Sequence, residues 1–462
     1  MVNHRTSTRP RQGVTDAGLV PLAPSRESRR GPSPVRGSTP NRWHVAAGYG
    51  LYIAVLTAGY YYNLTFVQLG LIDLGERRVG LPGTTVSMTM GGLALGALAV
   101  ALLMGWTMGR RGWGGALRVK LRILFAVVLV QAALTVVAPF VVAAGPFFGW
   151  VAVCSVSIGA GIPVTFSLML DLIPVRHRGH VAATTAGLAF FVAALYPREW
   201  RIEEFATVMT WGMVPAAVIF GVLAFGRRGA PARLVDTLAE GAARHGPGRF
   251  VRPPHRPSRT VFWGLVAVMF AVFFIDSLGF LRIIEAPTYI LSSWQSPETG
   301  PRLFIAVAHV VGAAMAGVLY MSFDRRWLIV WILGLFAFTH LLYTSHLLVG
   351  PSGMDPPLVL PLFYVLAVSF YTTLNFALWP DLSTAKDIGM RTALGVGIAG
   401  WLASFLSTAL ALYSKSEGLS LLSHLRYVNA LALLLAVGVP VALYAARMRQ
   451  LGLAHPNPEG LP

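Results

Sequence analysis

A chain of 462 residues with 55% hydrophobic and only 12% charged residues, a mean hydropathy of +0.63 and a formal net charge of +18, has too little polar surface to cover a water-soluble globule of its size. That composition belongs in a bilayer. The single cysteine, Cys154, excludes an internal disulfide and a cysteine metal cluster, and no phosphate-loop or nucleotide motif occurs that would point to ATP drive within the chain.

Residues 1–43 are rich in Arg, Pro, Ser and Thr and contain no membrane-length apolar run, so they read as a disordered basic tail and not as a cleaved signal peptide. Runs able to cross about 30 Å of hydrocarbon as helix then recur. The first six lie near 45–68, 84–106, 119–139, 145–170, 179–197 and 204–226; the next six lie near 260–284, 302–322, 327–349, 356–379, 391–413 and 426–446. The expected fold class is an all-α integral membrane protein of about 12 transmembrane helices in two parallel six-helix repeats. Its organisation reads as a tail (1–43), an N-terminal half (44–226), a basic linker (227–259), a C-terminal half (260–449) and a short tail (450–462).

Arginines and lysines concentrate in the tail, in Arg110–Arg122, in the linker and after the even-numbered spans. Positive residues near span ends stay on the cytoplasmic side, which predicts two cytoplasmic termini in a cell (plasma) membrane. The same asymmetry accounts for the net charge without a nucleic-acid partner. The tail and linker read as topology determinants that touch anionic lipids, although "RESRRGPSPVRG" would also suit a polyanion.

Two apolar stretches end in Asp-Leu and are followed by an arginine. The first, "LMLDLIPVRHRG", holds Asp171 and Arg178; the second, "ALWPDLSTAKDIGMR", holds Asp381 and Arg391. Overlaying the halves also sets "YYYNLTFVQLG" on "FFIDSLGFLRI", with Asn63 opposite Asp276, and "LLMGWTMGRRGWGG" on "AGVLYMSFDRRW", which contains Asp324 and Arg325. Duplicated halves of this kind are a common plan of solute transporters.

The segment "DLIPVRHRG" resembles the acidic, proline, arginine-glycine signature that members of the major facilitator superfamily carry between their fourth and fifth spans. The resemblance covers about 45–449. It departs from the family in the loop after the second span, where Gly109 stands in place of the aspartate. In the second copy Asp324, Arg325 and Arg326 are kept but Tyr320 replaces the leading glycine. The family's antiporter pattern of spaced glycines is absent from "GHVAATTAGLAFFVAALYP". The resemblance implies alternating access around a central cavity lined by the first, fourth, seventh and tenth spans.

Asp276 interrupts the apolar seventh span "VFWGLVAVMFAVFFIDSLGF". A charge there costs roughly 2.5 to 3.5 kcal/mol on insertion scales, so it faces water or a partner. It is the proton-coupling candidate, the alternative being a structural ion pair. His309 in the eighth span is a second candidate, able to share a proton with Asp276, against the plainer reading of a packed, hydrogen-bonded ring. Tyr61, Thr65 and Gln68 at i, i+4 and i+7, and Tyr371, Asn375 and Trp379 every four residues, form polar stripes; with Asn63 these are the cavity candidates, or else they hydrogen-bond between helices. Arg282 and Glu285 are spaced to pair with each other. Asp171 with Arg178, Asp381 with Arg391, and Asp324 with Arg325 are the candidate cytoplasmic gates.

The function expected is a secondary active transporter of a small solute, coupled to protons and monomeric, with no cofactor and no metal. Two alternatives stand beside it: a non-transporting family member acting as an assembly factor or receptor, and a polytopic lipid-linked transferase using Asp73 and Glu76. Aromatic and amide groups with one acid tilt the expected solute toward neutral, cationic or amphipathic molecules.

Overall fold

The computed structural model describes residues 42–196, 200–251, 258–322, 325–349 and 356–450. The predicted tail, up to residue 41, and residues 451–462 lie outside the described residues. Every regular element among those described is helical.

The first helix, α1, runs Arg42–Tyr61 and continues without a break as a π-helix over Tyr62–Leu69, a turn of α-helix over Gly70–Asp73 and a second π-helical stretch over Leu74–Arg78. It therefore reaches well beyond the predicted end near 68. Next come α2 (Gly83–Arg111), α3 (Leu117–Val137), α4 (Ala144–Leu172), α5 (Arg178–Leu195) and α6 (Ile202–Phe225). A helix within the linker, α7 (Gly229–His245), precedes α8 (Arg259–Ile284), α9 (Thr299–Ser322), α10 (Arg325–Val349) and α11 (Val359–Asp381). The last two are α12, built from Ile388–Thr392, a π-helical Ala393–Leu402 and Ala403–Ser416, and α13 (Leu421–Gln450).

Local chemistry explains several boundaries. Gly112, at φ 69°, ends α2 in the left-handed conformation that glycine adopts without strain. Ser258 caps α8 by accepting a hydrogen bond from the Val261 amide at 3.3 Å. Eleven of the helices are long and apolar enough to cross a membrane. The tyrosine-rich α1 is the twelfth member of the bundle. Their outer faces expose large apolar side chains such as Trp211, Leu434 and Val437, which fits lipid contact in a multi-pass membrane protein.

Helices pair as α2 with α4, α3 with α6, α9 with α11 and α10 with α13, while α5 packs on α9 and α2 on α12. Small residues permit the last two contacts. An added Cβ at Gly105 would lie 2.6 Å from the Gly389 carbonyl oxygen, and one at Gly317 would lie 2.6 Å from the Ala183 side chain.

The linker carries structure that its basic composition did not announce. Val235 and Leu238 are buried on the inner face of α7, which packs against α4. After α7 the segment 246–251 returns across the ends of α5, α9 and α11.

Candidate transport cavity and gates

A cavity opens between α1, α5, α8, α9, α11 and α12. It gathers five of the predicted site residues: Thr65, Gln68, Asp276, His309 and Tyr371. Asp276 is 7% exposed, and its Oδ2 accepts a hydrogen bond from the Tyr371 hydroxyl at 2.5 Å. Gln68 Nε2 donates to Thr408 Oγ1 at 2.5 Å, joining α1 to α12 and leaving Gln68 Oε1 buried without a partner.

His309 lines the same space but is held elsewhere. Its Nε2 accepts from Trp294 Nε1 at 3.2 Å, its Nδ1 lies 3.0 Å from Ser369 Oγ, and Phe190 stacks on its ring at 4.4 Å. Ser369 Oγ donates to the His309 carbonyl, so Nδ1 is the protonated nitrogen that donates to Ser369. With both nitrogens engaged, the ring makes no hydrogen bond to Asp276.

Four cavity candidates turn out to sit elsewhere. The stripe Tyr61, Thr65, Gln68 assumed a 3.6-residue period, but the π-helical turns of α1 bond i to i+5 and widen the repeat. The face that meets the cavity is thus Tyr60, Leu64, Thr65, Gln68 and Leu69, while Tyr61 turns away and donates to the Tyr196 carbonyl at 2.7 Å. Asn63 lines a separate cavity with Gln131 and Trp401, so it does not face Asp276. On α11, Trp379 Nε1 donates to Asn375 Oδ1 at 2.7 Å within the helix, and the Trp379 ring fills the space above Gly395, where a Cβ would approach it to 2.1 Å. Tyr371 alone of that stripe reaches the cavity.

The sequence reading missed Tyr60, Trp200, Trp294 and Tyr364, all of which line the cavity. Tyr364 lies two turns before Tyr371 on the same face of α11, a spacing the sequence does contain. Trp294 lies in the connection between α8 and α9, which periodicity does not place.

At the opposite end of the bundle the expected Asp171–Arg178 and Asp381–Arg391 pairs are replaced by others. Asp171 bonds Lys120 of α3 at 2.6 Å, with both side chains buried. Arg178 instead bridges to Asp381 at 2.9 Å, with both side chains fully buried, and so ties the start of α5 to the end of α11. Tyr320 of α9 donates its hydroxyl to Asp381 Oδ2 at 2.8 Å. Arg391 pairs with Asp387 at 2.7 Å and also donates to the Leu382 carbonyl. Asp324 and the Arg325 side chain lie outside the described residues.

The linker segment closes over this network as a strap. The Gly248 amide donates to the Ser383 carbonyl at 2.8 Å and the Phe250 amide to the Asp381 carbonyl at 2.9 Å. Arg249 donates to the carbonyls of Tyr320 (3.1 Å) and Met321 (3.3 Å), acceptors left open by the C-terminus of α9. The approach requires glycine, since a Cβ at Gly248 would lie 2.3 Å from the Asp381 carbonyl oxygen. At the cavity end the ion pairs are more exposed: Arg77 with Asp73 at 2.7 Å, Arg77 with Glu203 at 2.6 Å and Lys415 with Glu285 at 2.6 Å. The expected Arg282–Glu285 pair does not form; Arg282 donates to the Leu419 carbonyl at 2.8 Å.

No family model and no curated protein sequence matches the chain. Solved structures do. A proton:xylose symporter, XylE, bound to 6-bromo-6-deoxy-D-glucose is similar over 86% of this chain and 95% of its own, with a TM-score of 0.58 and 14% identity. The chain has the major facilitator fold. The human organic anion transporter MFSD10 shares it over 87% of this chain and 100% of its own, at a TM-score of 0.57 and 14% identity. XylE from E. coli, in a partially occluded inward open conformation, covers 85% of this chain and 98% of its own, at a TM-score of 0.53 and 13% identity. Within this fold the Arg178–Asp381 pair and the strap join the two halves at the α4 and α11 ends, away from the residues that line the cavity.

Proposed function

We propose that the protein is a secondary transporter that moves a small solute across a membrane by alternating access, coupled to protons through Asp276. The observation that carries this reading is a single buried carboxylate, hydrogen-bonded to Tyr371, facing a cavity between helices of both halves. A carboxyl in that position can hold a proton on one side of the membrane and release it on the other. With the termini cytoplasmic, the orientation that the arginine distribution favours, the strap and the Arg178–Asp381 pair form the cytoplasmic gate. The cavity then belongs to a state closed toward the cytoplasm. The tail and linker contact anionic lipids of the cell membrane, and the chain works as a monomer.

Reconstitution into proteoliposomes with an internal pH-sensitive dye tests the proposal. Solute addition is expected to move protons with the wild type and not with Asp276→Asn. If the two proteins behave alike across a panel of neutral, cationic and anionic solutes that the wild type moves, Asp276 is not the coupling group.

A further inference from the structure

Resting on the transporter reading, we infer that the cavity takes a monovalent organic cation, a protonated amine on an apolar or aromatic body, and that this cation and a proton compete for Asp276. Charge is the first argument. Asp276 is the one residue of fixed charge type lining the cavity, with no lysine or arginine among the lining residues. One of its oxygens takes the Tyr371 hydroxyl, and the Tyr364 phenol also bears on the carboxylate, but neither phenol brings a positive charge. A carboxylate so placed is balanced only by a proton or by a cation that enters the cavity. A second charge on the ligand would find no partner, and an organic anion would be repelled in a medium of low dielectric.

The walls supply the second argument. Phe273 packs edge-on against Tyr371 at 4.7 Å, and Phe280 stacks on Tyr364 at 5.6 Å and meets Trp294 edge-on at 5.2 Å. Tyr60 completes the aromatic lining across from them. Ring faces around one carboxylate attract a desolvated ammonium and accept an apolar body. Donor count points the same way. Gln68 Oε1 is a second buried acceptor without a partner, so the N–H groups of an ammonium find two takers. Trp200 Nε1 is also buried without a partner, which leaves room for one acceptor group on the body.

The other titratable groups facing the cavity do not add charge. His309 has both ring nitrogens bonded to Trp294 and Ser369, and Tyr60, Tyr364 and Tyr371 are phenols. Binding therefore proceeds one for one: the O–H bond of the Asp276 carboxylic acid breaks, its proton passes to water, and the ammonium–carboxylate pair forms. The exchange is electroneutral.

The test uses the purified full-length chain and matched triplets of probes, 2-phenylethylamine with 2-phenylethanol and phenylacetate, and their naphthyl counterparts. Titration calorimetry in buffers of different ionisation enthalpy counts the protons released. The amines are expected to bind with proton release, and the alcohols and acids to bind about ten- to a hundredfold more weakly, the range of one charged hydrogen bond. Asp276→Asn is expected to lose both the preference and the proton release, while Asp276→Glu keeps them; Gln68→Leu weakens the amines alone. Equal binding of alcohol and amine, failure of every amine to bind, or an unchanged preference in a folded Asp276→Asn protein overturns the inference. Proteoliposomes separate the two readings. Movement of a neutral or anionic solute without amine binding overturns the substrate class and leaves the transporter standing, whereas amine binding without movement of any solute supports the site and sinks transport.

Discussion

Replacing Asp381 by Asn leaves the Arg178 guanidinium fully buried without its counter-charge. Breaking one member of a buried pair costs about 3 to 5 kcal/mol. If that cost falls on the closed arrangement alone, at 1.4 kcal/mol per factor of ten the balance shifts by about a hundred- to a few thousandfold toward the state open at the strap end. The lower figure is expected, because the strap's backbone bonds and the Lys120–Asp171 pair remain. Thiol accessibility reads the shift. Ser383 is fully buried under the strap, and Cys154 is the sole native cysteine, so a Cys154→Ser, Ser383→Cys background reports opening there. Labelling should be slow in that background and fast once Asp381→Asn is added. Exchanging the charges of Arg178 and Asp381 should restore slow labelling in part, whereas exchanging those of Asp171 and Arg178 should not. A folded Asp381→Asn protein that labels no faster than its background would refute the gate.

Two further outcomes follow from the same end of the molecule. Lys120→Met alone should lower the thermal midpoint strongly, because Asp171 is left buried and unpaired, while Lys120→Met with Asp171→Leu should recover most of the loss; a double variant as unstable as the single one would show that the pair does more than neutralise. Gly248→Val should lift the strap from Asp381 and raise Ser383→Cys labelling with little change in overall stability, since the segment is short; labelling that stays slow means the strap is not a barrier.

Much of the architecture was legible because bilayer thickness and apolar run length leave few ways to place a span. Asp276 and Tyr371 were legible for a related reason: a polar group on an apolar helix has to meet something. Partners were not. The repeated Asp-Leu marks placed Asp171 and Asp381 correctly at helix ends but suggested neighbours in sequence, whereas Asp171 is taken by Lys120 and Arg178 crosses to Asp381. Helix periodicity says which residues share a face and nothing about which helix ends converge. In α1 it placed Thr65 and Gln68 on the cavity face but not Tyr61, because the hydrogen-bond register changes after Tyr61. The packing role of Trp379 was equally hidden, since it depends on Gly395 of another helix.

One helix joins the two sites. Tyr371, bonded to Asp276, and Asp381, bonded to Arg178, lie ten residues apart on α11, about 15 Å along its axis at 1.5 Å per residue. Between them Trp379 is wedged over Gly395 of α12, next to Pro380, a contact through which a shift at one end of α11 reaches the other. Neutralising or occupying Asp276 should therefore alter the pull on the gate. Groups that far apart without shared partners ordinarily act additively, within about 0.3 to 0.5 kcal/mol. A double-mutant cycle of Tyr371→Phe with Asp381→Asn, read by Ser383→Cys labelling, is expected to depart from additivity by about 1 kcal/mol or more, the scale of coupling between linked sites. Loosening the wedge with Trp379→Leu should reduce that departure. An additive cycle would mean that cavity and gate, though carried on the same helix, are not coupled through it.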